Sequence, residues 1–349
     1  MKANFVSTLA LSETTKLSLM KSQLRLAQAQ KEMVTWRHAD VGRALGHRTS
    51  DTVSLRQDFT RLNGIKDSNA VAKTRLDTTQ AVLEGLAADA QEFIGAMFAS
   101  READNGALVL KVEARTRLEA LIGAINTSVD GAYIFSGINA DVRPMESYFG
   151  DPPPASRQSV ATAFFNEFGF AQTDPAASTI PRADMAAFLD GAFADLTDQP
   201  AWSANWSAAS DQNIRSRIST AELVETSSNA NVKALRDLVS VYTMLADLGS
   251  DGLSKEAFEA IVDKAVIKAG ESIQGLTGLR ANLGTVQERI SSANDRMSIQ
   301  IGIFQQHITS MEQVDPDAAA TRVTALLTQI ETSYALTARI QNLSLLNYI

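Results

Sequence analysis

The chain contains no cysteine, and it has only eight prolines and three histidines among its 349 residues. The absence of cysteine excludes disulfide bonds and thiol chemistry. No apolar run approaches the roughly 20 residues that a membrane-spanning helix requires. The first residues have no apolar segment followed by a small-residue cleavage site, so the sequence predicts no cleaved secretory signal peptide.

The few prolines are unevenly placed. Seven of them lie between Pro144 and Pro200, and only Pro316 lies elsewhere. Because proline breaks helices, the two ends of the chain can form long helices while the middle must turn often. Residues 140–210 also carry nine Asp and Glu against three Arg, and the whole chain has a net charge of −8. This balance argues against binding to nucleic acid or to a membrane surface.

Apolar residues recur every seven positions near both ends. The first ladder consists of Leu55, Leu62, Asn69, Leu76, Leu83, Ala90 and Met97, with Ile65, Ala72, Thr79, Leu86 and Phe93 three places behind. The second consists of Val262, Ala269, Leu276, Leu283, Ile290, Met297, Phe304 and Met311. This period predicts an apolar seam that needs a partner helix. At 1.5 Å per residue the second ladder spans roughly 75 Å, which predicts an elongated architecture.

Short strands and a separate middle segment interrupt the helical pattern. Residues 131–137 bunch β-formers between glycines, and residues 214–218 alternate like a strand. The middle also holds ten of the 22 aromatic residues, which we interpret as a small hydrophobic core, with a ligand pocket as the alternative. We therefore predict a mainly α fold: an elongated bundle of long helices with short β-hairpins and a small inserted α+β domain.

The same signals predict three domains, two of them built from both ends of the chain. They are terminal helices that form a polymer core (1–48 and 315–349), a rod-like helical bundle domain (49–140 and 211–314) and an inserted outer domain (141–210).

The sequence offers little that could support catalysis. His38, Asp40 and His47 lie close together, but a zinc site needs three or four converging ligands, so we interpret residues 37–50 as a solvated loop. His307 is interpreted as a side chain flanking the seam. No phosphate-binding glycine loop, nucleophile elbow or zinc-binding histidine pair is present. We predict no enzymatic activity, no metal site and no cofactor.

Apolar stripes on the first and last helices are the candidate functional surface. They have little to bury alone, since isolated helices gain stability mainly from packing. We predict that they pair with each other and with other copies of the chain; packing onto the chain's own rods is the alternative. The predicted subunit-interface residues are Leu17, Met20, Leu24, Val323, Leu327, Ile330, Tyr334, Leu343, Leu345 and Leu346.

Three runs of residues resemble the bacterial flagellin superfamily. They are residues 280–290 (RANLGTVQERI), residues 344–349 (SLLNYI) and residues 131–137 (GAYIFSG). The third run is most similar to the hook–filament junction proteins of that superfamily. One departure lies where the family has Thr-Gly and this chain has Thr35-Trp36, so the loop that follows is expected to differ.

The resemblance implies a structural subunit of the bacterial flagellum that acts as an adaptor between hook and filament. The implied partners are other copies in a ring, another hook-associated protein, flagellin, a cytoplasmic export chaperone at the C-terminal helices and the flagellar type III export apparatus. The implied location is extracellular, in the flagellum. A filament flagellin is the first alternative. A soluble coiled-coil signalling protein is the second, although it would require an input domain or membrane anchor.

Overall fold

The structure is a computed structural model that describes residues 8–248 and 252–346, with side-chain surroundings for residues 13–248 and 252–339. Helices account for 74% of it. The strands in the described residues form two antiparallel two-stranded sheets. The prediction of a mainly helical fold with long helices and short β-hairpins is confirmed.

The chain divides into two compact units. The end unit comprises Met1–Asn63 and Ser298–Ile349, and the central unit comprises Gly64–Met297. Both boundaries fall inside long helices, because α3 (Thr49–Ser100) and α10 (Lys255–Glu312) contribute residues to both units. The three-domain division expected from the sequence stays a prediction.

Besides its parts of α3 and α10, the described residues of the end unit form α1 (Thr8–Thr35), α2 (Val41–Leu45) and α11 (Pro316–Leu346). The Asp-Pro start signal of α11 is confirmed, since the Asp315 carboxylate accepts a hydrogen bond from the Asp317 N–H at 2.9 Å. The predicted loop at 37–50 is partly helical. Asp40 starts α2 by accepting from the Arg43 N–H at 3.0 Å, and a 3-10 turn leads directly into α3.

The central unit adds six helices and four short strands. They are α4 (Gly106–Ile125), β1 (Ser128–Val129), β2 (Ala132–Tyr133), α5 (Ala155–Phe168), α6 (Arg182–Asp190), α7 (Ala192–Thr197), α8 (Ala201–Asn205), β3 (Arg215–Arg217), β4 (Leu223–Glu225) and α9 (Lys233–Asp247). A 3-10 helix, Pro175–Thr179, precedes α6.

The predicted seams are the buried faces of α3 and α10. In the first ladder every member is buried except Leu55 and Ile65, and in the second every member except Phe304 and Met311; those four are half-buried. The glycines of α10 do not interrupt this helix. Gly275 has a packing reason, because a Cβ placed there would lie 2.8 Å from the Cβ of Ala234 on α9. The residues of both ladders are thus buried or half-buried, as their heptad spacing predicted.

A buried asparagine interrupts the apolar seam of α3. Asn69 is fully buried and donates to the Ile218 carbonyl at 2.9 Å and to the Asn294 side chain at 2.7 Å. Since a buried amide is stable only where its partners lie, this residue favours one alignment of α3, α10 and the β3–β4 hairpin. Farther along, Gln80 donates to the Arg280 carbonyl at 2.7 Å.

The helix α9 is the most buried element of the central unit. Twelve of its fifteen residues are buried, among them Tyr242. The Tyr242 ring meets Phe93 edge to face with centroids 5.2 Å apart, and its hydroxyl donates to Asp89 at 2.6 Å. Arg117 on α4 pairs with the same carboxylate. The polar tip of a core tyrosine is thereby satisfied at the edge of the seam.

Two hairpins account for the strands. The turn between β1 and β2 places Asp130 and Gly131 at φ of 53° and 80°, as a type I′ turn requires. Only residues 132 and 133 of the predicted 131–137 strand are in a ladder; Ile134 and Phe135 beyond it are buried in the core. The strand predicted at 214–218 is confirmed as β3, which pairs with β4.

The middle segment differs from the prediction in one respect. Residues 141–210, all of which are described, contain helices and no strand, whereas an α+β insert was expected. The β-forming runs lie just outside this segment, in the two hairpins. Its aromatic residues form a core, as expected: Phe164 contacts Phe168, Phe170 and Phe188 at centroid distances of 4.7–6.3 Å.

Gly137 gives a direct test of the close packing beside this segment. It has a φ of 61°, and a Cβ would lie 2.4 Å from the Gln212 carbonyl oxygen and 2.5 Å from that of Ser210. We expect Gly137→Ala to lower the free energy of unfolding by about 3 kcal/mol, from backbone strain and overpacking together. Gly131→Ala is the matched control, because it has a similar φ but open space around it, and it should cost about 1 kcal/mol. Urea unfolding followed by circular dichroism measures both; equal losses would contradict the steric argument.

Candidate assembly surface

The first and last helices form an antiparallel pair. Gln23 on α1 donates to the Tyr334 hydroxyl on α11 at 2.9 Å, and Arg322 on α11 bonds Glu32 on α1 at 2.8 Å. Residue numbers rise on one helix as they fall on the other, which defines the direction.

The inner face of this pair has coiled-coil spacing. Buried and half-buried side chains recur in alternating steps of three and four on each helix. They are Thr15, Leu19, Ser22, Leu26, Ala29 and Met33 on α1, and Ala319, Val323, Leu326, Ile330, Ser333 and Thr337 on α11. Such steps place one narrow seam on each helix, opposite the other.

The seam between the two helices has a small apolar core. Its buried cluster consists of Ala29, Val323 and Leu326, with Leu26 and Met33 packed beside it. The α1 side contributes two small buried side chains, Ser22 and Ala29. Burial of these side chains stabilises the pair in proportion to the apolar area that it removes from water.

Large apolar side chains lie on the outer faces of the same helices. They are Leu17, Met20, Leu24 and Val34 on α1, Trp36 just after it, and Leu327, Tyr334 and Leu336 on α11. Met20 and Leu24 are 66% and 65% exposed. Leu17, Met20 and Leu24 recur in steps of three and four, which places them on one stripe of α1, and an exposed apolar stripe of this kind marks a surface that binds a partner.

The structure separates the predicted interface residues into two groups. Leu17, Met20, Leu24, Leu327 and Tyr334 are exposed, whereas Val323 and Ile330 are buried at 8% exposure, Val323 within the seam cluster of the pair. Contact of either group with another copy stays a prediction. The side chains of Leu343, Leu345 and Leu346 lie outside the described residues.

A buried carboxylate holds together the end of α1 and the start of α11. Glu312, the last residue of α10, is 2% exposed and bonds both Arg37 and Arg56, the latter through two hydrogen bonds at 2.6 and 3.0 Å. The His38 N–H donates to the Glu312 carbonyl at 3.0 Å, and the Val314 N–H donates to the Trp36 carbonyl at 3.0 Å. These bonds join the segment after α1 to the segment before α11, and so set where the pair begins.

The surroundings of Glu312 act on its pKa in opposite directions. Burial raises the pKa of the Glu312 carboxyl, but the hydrogen bonds and charges of Arg56 and Arg37 outweigh burial and hold it below its usual value. The carboxylate is therefore ionised in the folded protein at neutral pH.

Trp36 stands beside this ion pair in a conformation that side chains rarely adopt. Its φ is 54°, and it is 59% exposed. It is also the residue at which the chain departs from the Thr-Gly of the resembling family, and glycine favours this φ. Trp36, Phe59 and Ile308 line a groove of about 480 Å³ that has Glu312 on its wall.

The residues considered for chemistry do not converge. The described residues contain no group of three or more His, Asp or Glu that could hold a metal ion. Asp40 caps α2, His38 lies 3.9 Å from Glu32, and His307 is exposed on α10. Among the described helices, none combines the length and apolarity that crossing a membrane requires.

Sequence reasoning missed the Arg37–Glu312–Arg56 cluster. Glu312 lies more than 250 positions from either arginine, and a charged residue on a long helix indicates by itself only a solvated face. The signal that could have suggested it is indirect: Glu312 directly follows the last ladder position, Met311, and therefore borders the seam.

Two family models match the two ends of the chain. The one described as the bacterial flagellin N-terminal helical region matches residues 6–140, and the one described as the C-terminal helical region matches residues 266–349. Together they cover more than half of the chain and include both members of the α1–α11 pair.

The fold of this chain is similar to that of several solved structures. One is of a Vibrio parahaemolyticus protein assigned as a flagellar hook-associated protein; it has a TM-score of 0.51 and 8% sequence identity, and the match covers 76% of this chain and 97% of that one. At this identity the likeness shows a shared fold alone. No curated protein sequence matches the chain.

The fold and the pairing define a class of helical protein in which both ends of the chain meet as antiparallel helices. Within that class, the matched regions show that the chain belongs to the flagellin superfamily. It is a structural component of the bacterial flagellum, an extracellular assembly of many subunits. Proteins of this family are structural and are not enzymes.

Glu312 allows the anchoring of the pair to be tested by pH. We expect Glu312→Gln to lower the free energy of unfolding by about 2 kcal/mol at pH 7, because two guanidinium groups lose a charged partner. In the wild type this contribution is complete above the carboxyl's unfolded pKa of about 4.3, and it is lost as pH falls through the lower folded value. Urea unfolding at pH 7 and at pH 3 should therefore show the two proteins converging at the acidic pH.

The control for that experiment is Glu331→Gln, which removes an exposed carboxylate of α11 in the same unit. It should change stability by less than about 0.5 kcal/mol at either pH. A gap between wild type and Glu312→Gln that persists undiminished at pH 3 would show that ionisation of Glu312 is not what stabilises this region.

Proposed function

We propose that this chain is the flagellar subunit that joins the hook to the filament, and that it assembles through the outer faces of α1 and α11. The observation that carries the assembly role is the row of exposed apolar side chains on those faces, led by Met20 and Leu24. The small buried core between the two helices supports the same role, because exposed apolar side chains beside it gain stability when further copies cover them.

The junction role in particular is supported by the residues of the β1–β2 hairpin and its continuation. The run 131–137 resembles junction proteins, and its residues are structural: Ile134 and Phe135 are buried, and Gly137 fits against two carbonyl oxygens. In this proposal, copies of the chain form a ring that contacts another hook-associated protein on one side and flagellin on the other. The chain reaches that position by type III export, escorted by a chaperone bound to its C-terminal helices.

A filament flagellin is the competing function, and it is favoured by the family models, both of which describe flagellin helical regions. The two functions differ in what the subunit does alone. A filament subunit polymerises into long filaments by itself, whereas a junction subunit forms a layer of limited length that other subunits extend.

The assembly face can be tested without disturbing the fold. We expect the double variant Met20→Asp with Leu24→Asp to abolish assembly, because two charges would have to be buried among apolar side chains. The monomer should unfold within about 0.5 kcal/mol of the wild type, because both positions are exposed. Flagella sheared from a complemented deletion strain are assayed for the protein, and the purified monomer for stability.

The matched control is Leu108→Asp with Val112→Asp on α4, which adds the same charges at exposed apolar positions of the central unit. This variant should be incorporated normally. Incorporation of the α1 variant at wild-type levels, or equal failure of both variants, would contradict the assignment of the α1 face.

Deletion of the gene distinguishes the junction from the filament. We expect electron micrographs of a deletion strain to show hooks without filaments, and the medium to contain monomeric flagellin of the same cells. Complementation should restore filaments. Purified protein that polymerises alone into long filaments would support the filament flagellin instead.

A further inference from the structure

The central unit has a groove whose charge differs from that of the rest of the molecule. Its volume is about 510 Å³, within the range of small-molecule sites. It lies between α4, α5 and the end of α9, and its lining includes Lys111, Arg115, Phe149, Arg157, Gln158, Gln172 and one carboxylate, Asp247. The protein as a whole has a net charge of −8, so a groove with three cations and one carboxylate is a local exception.

Two of the cations are held in place by one aromatic ring. The guanidinium carbon of Arg115 lies 4.2 Å from the centroid of Phe149, and that of Arg157 lies 5.3 Å from it. Cation–π contact orders such side chains while leaving their N–H groups free to donate. Among the residues that the structure describes, Arg115 forms no ion pair, although it is exposed at the groove.

The acidic groups near the groove are already engaged. Asp247 accepts from the Tyr148 hydroxyl at 2.9 Å and lies 3.5 Å from Arg157. Glu119 accepts from the Ser147 hydroxyl and from the Phe149 N–H at 3.3 Å, and so fixes the ring beneath the arginines. Burial raises the pKa of Asp247, against the opposing effects of Tyr148 and Arg157. Neither carboxylate forms an ion pair with Arg115.

We propose that this groove binds the anionic group, a carboxylate or sulfate, of a small ligand, with Arg115 as its main contact. Its volume of about 510 Å³ has room for a ligand the size of one or two sugar rings, so acidic disaccharides are suitable probes. The guanidinium fork matches the two oxygens of such a group, and a guanidinium that is already ordered loses less entropy when it binds. Lys111 and Arg157 add positive charge on either side. The amides of Gln158 and Gln172, whose N–H groups donate to carbonyls at 2.7 and 3.0 Å, form the uncharged rim. This binding is separate from assembly, since none of these residues lies on α1 or α11.

Isothermal titration of the full-length purified protein tests the proposal with three probes: a sulfated heparin disaccharide, an unsulfated disaccharide that bears one uronic carboxylate, and inorganic sulfate. We expect at least one probe to bind with one site per chain, and more weakly at high salt. Arg115→Gln should weaken it roughly tenfold, and Arg115→Gln with Arg157→Gln roughly a hundredfold, as expected for lost hydrogen bonds to a charged group.

Arg296→Gln is the control, because it removes one positive charge from an exposed arginine elsewhere in the central unit. It should change the affinity less than twofold. Circular dichroism melting confirms that each variant is folded. Tight binding of a disaccharide with weak binding of sulfate would assign the site to an acidic sugar, and equal binding would assign it to a simple anion. Absence of binding by all three probes, or binding that the double variant leaves unchanged, would overturn the proposal.

Discussion

Pairing of helices that are distant in sequence is the constraint on which this structure depends. A helix with apolar residues at every third and fourth position buries them only when another helix covers that stripe. In the central unit α3 and α10 meet this requirement with leucine, isoleucine and methionine. In the end unit the seam of α1 and α11 combines large apolar side chains, such as Leu26 and Leu326, with small ones, such as Ser22 and Ala29. The same geometry thus produces a seam of mostly large side chains in one unit and a mixed seam in the other.

The two units differ accordingly in how fully they bury their apolar side chains. A seam filled by Leu76, Leu83 and Phe93 is a self-sufficient core, and Asn69 fixes its alignment through two directed hydrogen bonds. The α1–α11 pair has Ser22 and Ala29 beside a few larger side chains inside, and it leaves Met20 and Leu24 exposed. Its alignment is set at one end by the polar contacts of Glu312. The two helices of this pair are thus fixed in alignment, although large apolar side chains on them stay exposed.

Features that depend on residues close together in the sequence were predicted, and features that depend on residues far apart in the sequence were not. The seams were predicted because heptad spacing is local, and the start of α11 was predicted because Asp315 and Pro316 are adjacent. The inner face of the α1–α11 pair was predicted only in part: Val323 and Ile330 were among the predicted interface residues, but no inner-face residue of α1 was, since small residues such as Ser22 and Thr15 interrupt its apolar pattern. The arginines around Glu312 and those around Phe149 could not be predicted, since their partners come together only when the chain has folded. The α+β expectation for the middle segment failed because β-forming runs at its borders were counted as part of it.

The position of α10 in the chain has a consequence for the order of folding. Gln80 on α3 meets Arg280 on α10, and Asn69 meets Asn294, across about two hundred intervening positions. A chain that emerges with its N-terminus first therefore displays the leucines of α3 long before α10, which begins at Lys255, exists to cover them. High contact order of this kind delays collapse until most of the polypeptide is available. The topology therefore leaves the leucines of α3 without their partner helix until residues beyond Lys255 have emerged.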